Sequence, residues 1–184
     1  MTASGPILET ERLLLRPPQL QDFDAWAAFM GDDAHVRHLG GGQPRPVAWL
    51  GMMAVIGSWT ACGFAFFSVI EKDSGRWIGR VGPWRPEGWP GPEIGWGIAA
   101  DACGKGYATE SAAAAIDWAF DALGWQEVIH TITADNLASK RVAARLDSRL
   151  LRHDRMPERF GDADIEVWGQ SREQWRQARA RGGR

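Results

Sequence analysis

Gly104-Lys105-Gly106 lies between an apolar, glycine-spaced run, Glu93-Ile-Gly-Trp-Gly-Ile-Ala-Ala100, and a segment with helical period. Glycine N–H groups at the positive end of a helix are unshielded by side chains and attract anions, phosphate most often. The spacing excludes two phosphate chemistries. A nucleoside-triphosphate loop needs Gly-x-x-x-x-Gly-Lys-Ser/Thr, and a dinucleotide fold needs Gly-x-Gly-x-x-Gly with an acidic residue about 20 positions on. Neither pattern is present. A plain strand-to-helix turn is the alternative reading of so short a motif.

More of the chain supports the first reading. Gly104-Lys-Gly-Tyr-Ala-Thr-Glu110 resembles the coenzyme-binding turn of the GNAT superfamily of acetyl-CoA-dependent N-acetyltransferases. Asp135-Asn136-Leu137-Ala138-Ser139 resembles that family's Asn-x-x-Ser helix opening, and Thr10-Glu11-Arg12-Leu13 with Leu15-Arg16 resembles the start of its ribosomal-protein N-terminal acetyltransferase branch. The likeness covers roughly positions 7 to 170.

The resemblance implies transfer of acetyl from acetyl-CoA to a primary amine, on a protein N-terminus or a small molecule. A non-catalytic acetyl-CoA-binding or sensing module and an unrelated phosphate binder are the other classes. Under the resemblance, backbone at Gly104, Lys105, Gly106, Tyr107, Ala108 and Thr109 receives the pyrophosphate. Gly97, Ile98 and Ala99 pair with the pantetheine arm like an added strand, and Asn136 and Ser139 touch the coenzyme. Glu93 matches the acidic position used as a base in many relatives, and partial burial beside Trp96 would raise its pKa toward a useful range. Glu110 is a weaker candidate. The usual tyrosine acid is missing, since the only tyrosine is Tyr107, so Ser139 is the alternative proton donor. Asp101 stands where the family often carries Gln or Arg, which leaves the binding there to backbone. Cys103, beside the turn, has no covalent role in a family that transfers acetyl directly. With Glu93, Trp84 and Trp89 form the acceptor side.

Composition is consistent with this. A chain of 184 residues suits one domain, read as a core over about 7–170 and a basic C-terminal tail over 171–184. A net charge of −2 gives no field that would favour nucleic acid or an anionic membrane, so the partner is the amine acceptor, with the chain a monomer or homodimer. No basic-and-apolar signal pattern and no membrane-length apolar run occur, so a cytoplasmic protein is expected. Cys62 and Cys103 are too few for a disulfide framework and are read as reduced thiols. No metal is expected, and His35 and His38 read as solvent-facing loop residues without a third ligand. Trp77 and Trp96 are read as core; Trp84 and Trp89 fit core or groove equally.

The elements that must position these residues alternate in type. Ile7 to Arg16 reads as a first strand ended by Pro17-Pro18, and two helices follow, around Leu20–Met30 and from about Val47 to Trp59. Phe64–Ile70 and Arg76–Gly82 read as a hairpin, Pro83–Pro92 as a rigid loop, and Glu93–Ala100 as a buried strand. Ala108, Ala112, Ala115, Ile116, Ala119 and Leu123 share one stripe of a long helix that Gly124 stops. Gln126–Thr133 is a strand, and Asn136–Leu146 a helix capped at Asp135 or Asn136. Two β-like pieces, Leu150–Arg152 and Asp164–Trp168, flank a polar loop before a tail with five arginines from Arg172 onward, which reads as a solvated extension. The expected fold is α/β in the α+β sense: one mixed, mostly antiparallel sheet flanked by helices. The resemblance adds a splayed parallel pair, the strands at Glu93 and Gln126.

Overall fold

A computed structural model of the chain describes residues 5–158 and 162–182. Residues 1–4, positions 159–161 of the expected polar loop and the last two residues of the expected tail lie outside it. Eight strands form one sheet: β1 Leu8–Glu9, β2 Leu13–Arg16, β3 Phe67–Glu71, β4 Trp77–Trp84, β5 Glu93–Ile98, β6 Glu127–Thr133, β7 Arg149–Arg155 and β8 Asp164–Ser171. Their order is β1-β2-β3-β4-β5-β6-β8-β7, antiparallel throughout except between β5 and β6. The α-helices are α1 Phe23–Gly31, α2 Asp33–Val36, α3 Arg45–Cys62, α4 Tyr107–Asp121, α5 Leu137–Arg145 and α6 Arg172–Gly182. The expected fold class is the one found.

Alternation and helical period explain the core. Leu13 and Leu15 of β2 point inward, and α4 buries Ala112, Ala115, Ile116 and Ala119 in the same cluster as Val81, Ile94 and Ile98 of the sheet. Small residues along that stripe let the helix axis approach β4 and β5 closely. Its start is thereby fixed against the end of β5.

The centre of the fold is the break between β5 and β6. Only one register pair joins them, Glu93 with Ile129, and the Ile129 N–H donates to Pro92 O at 2.9 Å. A parallel ladder would next bond the Thr131 N–H to the Ile94 carbonyl. Instead the Thr131 N–H donates to Glu93 Oε1 at 3.2 Å, and His130 Nδ1–H donates to Ile94 O at 2.7 Å. Two side chains therefore satisfy the backbone groups that the splay would orphan in a buried place.

Three sequence expectations change, and the choice left open at the α5 cap is settled. The first strand is two, β1 and β2, folded back on each other with Leu8 opposite Leu15, because Thr10 Oγ1 takes the Leu13 N–H and closes a turn. Pro83 and Trp84 belong to β4, not to the loop: β3 pairs no further than Val81, so the missing N–H of Pro83 withdraws no bond on that side. Asn136, not Asp135, caps α5, its side chain accepting the Ser139 N–H at 3.0 Å. The basic tail is not a solvated extension over the described residues but the helix α6. Trp175 is 4% exposed and donates Nε1–H to Asp117 Oδ1 at 2.7 Å, while Arg179 pairs with Asp117 and Arg172 and Arg176 with Asp121.

Candidate active site

Two cavities meet at the splay. One, of about 600 Å³, runs along the start of α4 and the end of β5; the other, of about 410 Å³, lies over the start of β5. Trp96, Asn136, Ser139, Arg37, His38 and Leu39 line both. That shared wall is where two ligands could touch.

The larger cavity has the features expected of an anion cleft. Gly104 and Gly106 adopt left-handed φ values of +79° and +85°, a region glycine enters at no steric cost. A Cβ on Gly104 would meet nothing within 4 Å, so the backbone lies open. Gly106 is the N-cap of α4 and no side chain caps the helix, which leaves its first N–H groups for a ligand. The turn is held from behind. Arg12 donates Nη1–H to Lys105 O at 3.0 Å and pairs with Glu110 at 2.6 Å, and Thr10 Oγ1 donates to the same carboxylate at 2.5 Å. The Thr-Glu-Arg-Leu and Gly-Lys-Gly-Tyr-Ala-Thr-Glu motifs are therefore one mechanical unit. Three arginines, Arg37, Arg141 and Arg145, line this cavity against one acid, Asp135.

Most residues assigned to the cofactor line this cleft: Gly97, Ile98, Gly104, Gly106, Tyr107, Ala108, Thr109, Asn136 and Ser139. Ala99 and Lys105 do not. The Ala99 N–H faces β4 and donates to Ile78 O at 2.8 Å, and the Lys105 carbonyl is taken by Arg12. The phenol of Tyr107 points away, donating to Glu71 Oε1 at 2.7 Å. The Ile98 carbonyl accepts from His35 Nε2–H at 2.5 Å and Cys103 Sγ–H at 3.5 Å, so this edge is already partly paired. Burial and Asp101 push the Cys103 thiol up, away from a reactive thiolate. Asp101 is paired with Arg76.

Glu93 sits in the smaller cavity, 7% exposed, with Trp84 and Trp89 beside it. Trp89 Nε1–H donates to Oε2, and the Thr131 hydroxyl lies 3.1 Å from both carboxylate oxygens. Burial pushes the carboxyl up to about 7, and the donors and the Arg80 charge only partly offset it. Such a group exchanges protons at neutral pH. Trp84 stacks on Phe66 with ring centres 5.2 Å apart, so it forms wall and core at once. Glu110 lies on neither cavity. Burial acts to raise its carboxyl, but hydrogen bonds from Thr10 and Arg12 outweigh this and hold it below the usual range.

Several expectations are corrected here. Trp96 is not plain core: it stands between the cavities and donates Nε1–H to Ser139 Oγ at 3.2 Å. His35 and His38 are not solvent-facing. His35 bonds to the end of β5, and His38 Nδ1 lies 2.9 Å from Thr133 Oγ1 on the shared wall. Among the described residues no group of three potential ligands could hold a metal. No described helix is long and apolar enough to cross a membrane. Sequence reasoning missed Arg80, Thr131 and His130. A charge inside the apolar run Trp77-Ile-Gly-Arg-Val-Gly82 was the available signal for the first; the other two depend on where the ladder breaks.

Residues 12–149 match the model of the acetyltransferase (GNAT) domain. The fold also matches an acetyltransferase from Agrobacterium tumefaciens str. C58, with a TM-score of 0.80 at 30% identity over 92% of this chain and 96% of that one. A GNAT-family acetyltransferase from Bacillus anthracis aligns with a TM-score of 0.78 at 22% identity, over 91% and 99% of the two chains. Mycobacterium smegmatis RimJ, solved in complex with CoA-disulfide, aligns at 0.75 and 19% identity over 99% and 98%. A domain match across three quarters of the sequence, on a sheet that splits at β5 and β6 beside an uncapped glycine turn, makes this chain an acyltransferase that belongs to the GNAT acetyltransferases.

Proposed function

We propose that the chain transfers acetyl from acetyl-CoA directly to a primary amine, with Glu93 as the base. The observation that carries this is a buried carboxyl at about 7 in a cavity sharing a wall with the glycine-turn cleft. The cleft fits a polyanionic coenzyme, because uncapped N–H groups and three arginines face it while left-handed glycines keep side chains out. When bound there, acetyl-CoA supplies the acyl group as a thioester. Gly104, Gly106 and the first turn of α4 would hold its phosphates, and the Gly97–Ile98 edge its arm.

Each remaining step falls to a residue of this chain. Glu93 takes the proton that the acceptor nitrogen loses as its lone pair forms the bond to the acyl carbon. Thr131 and Trp89 hold the carboxylate in place for that transfer. Ser139 receives the Trp96 N–H, so its own hydroxyl proton is free to be donated, and at the shared wall it can protonate the sulfur whose bond to carbon breaks. Cys103 lines only the coenzyme side and takes no acyl group.

Glu93→Gln keeps the shape and removes the base. In a free-thiol assay kcat/KM should fall roughly 10²–10³-fold, the rise in rate centred near pH 7 should disappear, and acetyl-CoA should bind as before. A variant that kept both the rate and the rise would place the base elsewhere.

A further inference from the structure

Arg80 is a half-buried cation whose charge acts on Glu93 but which makes no hydrogen bond of its own among the described residues. Its Nε is enclosed and has no hydrogen-bond partner, and no acid pairs with the guanidinium among the described residues. Phe66 covers one side, with the ring centre 4.2 Å from the guanidinium carbon, and Trp26 lies at 5.5 Å. Aromatic faces offset part of the cost of desolvation but do not fill the donor fork. Burial lowers its pKa only to about 10, so it stays charged at neutral pH. A half-buried guanidinium with an enclosed, unpaired Nε calls for an anion.

The free side of Arg80 faces the acceptor. It lines the same cavity as Glu93 and is absent from the coenzyme cleft. Register explains how the two reach one chamber: Arg80 opposes Gly97, Gly82 opposes Gly95, and Trp84 opposes Glu93, which puts all six on one face of the sheet. The glycines let aromatic rings lie close on the sheet between Arg80 and Glu93: a Cβ on Gly95 would come within 3.0 Å of Phe66 and 3.5 Å of Glu93 Oε1, and one on Gly97 within 2.8 Å of Phe29. Arg37 adds a second cation at the shared wall, and among the described residues Glu93 is the only acid lining this cavity. Polycationic acceptors are therefore disfavoured, and the aromatic walls Phe66, Trp84, Trp89 and Trp96 stand beside polar groups such as Thr131 and Asn136.

Resting on the acceptor reading of this cavity, we propose that the substrate is a small amine that also carries a carboxylate, an apolar or aromatic amino acid in type. Its amine lies at Glu93 and its carboxylate in the Arg80 fork, a bidentate match of planar groups. Arg80 is thus the specificity residue.

The test compares common amino acids with their amides, their decarboxylated amines, and peptides carrying an acidic second residue, all in the free-thiol assay. At least one apolar amino acid should exceed its amide and its decarboxylated amine by about 100-fold or more in kcat/KM. Arg80→Met should erase that preference while acetyl-CoA affinity is kept. If Arg80→Met does not fold, Arg80→Lys keeps the charge but loses the fork and should shrink the preference about tenfold. Turnover confined to carboxylate-free amines, to acidic peptides or to none of the panel overturns the proposal, as does a preference that survives both substitutions. Failure of the base would look different: Glu93→Gln would retain its rate while the Arg80-dependent preference persisted.

Discussion

At Glu93 two opposing effects act on a single carboxyl: burial raises its pKa, and the Trp89 and Thr131 donors with the Arg80 charge pull it back. The Thr131 hydroxyl is the donor that can be removed most cleanly, because its backbone N–H bond to Glu93 would remain. Thr131→Val should move the acid limb of kcat/KM to higher pH by up to about one unit, the worth of one hydrogen bond to a charge. The high-pH plateau should stay close to wild type. A limb that does not move would show that the hydroxyl leaves the Glu93 equilibrium untouched. His130 shows the same competition with the opposite outcome. Burial holds its pKa down at about 4 despite the Ile94 carbonyl, so it remains a neutral brace, with Ser148 3.0 Å from its other nitrogen.

Among the elements, α4 carries the most testable geometry. Val at position 106 would have to adopt φ near +85°, which a β-branched residue resists, and its Cβ would meet Arg12, which braces the turn. At 100 times its dissociation constant, acetyl-CoA should stabilise the wild type by about 2.7 kcal/mol. Gly106→Val should fold with a lowered thermal midpoint and show no such gain; a full gain would move the anion site off this turn. This element was legible in the sequence because turn, cap and apolar stripe are all local in the chain. So was the position of Glu93 at the head of β5. The donors that complete the site were not legible, because Thr131 and His130 act only through the loss of ladder bonds between strands more than 30 residues apart in sequence. Helix α6 was hidden by its charge. Its arginines pair with Asp117 and Asp121, the two acids that fall off the α4 stripe, and the spacing of Trp175 and Ala178 was the one sign of a buried face.

For the molecule as a whole, two of the buried titratable groups, Glu93 and His130, tilt stability in opposite directions. Between pH 4.5 and 7 the folded chain keeps a proton on Glu93 that the unfolded chain has lost, so stability falls as pH rises through that window. Between pH 6.5 and 4 the unfolded chain takes up a proton that folded His130 refuses, so stability falls as pH drops. Where the windows overlap the slopes oppose, each at most about 1.4 kcal/mol per pH unit. Chemical denaturation of Glu93→Gln should therefore show stability rising with pH between 4.5 and 6.5 more steeply than in the wild type; parallel curves would mean that Glu93 titrates normally. The wall of Trp96, Asn136 and Ser139 has one more consequence, for kinetic order. The cavities share that wall, with Arg37, His38 and Leu39, and the thiol of Cys103 lines the coenzyme side alone, so under the proposed function the acyl group passes directly from donor to acceptor. Double-reciprocal plots at several fixed donor concentrations should intersect, as they do when both substrates must be bound together, and a parallel family of lines would overturn direct transfer in favour of a covalent stopover.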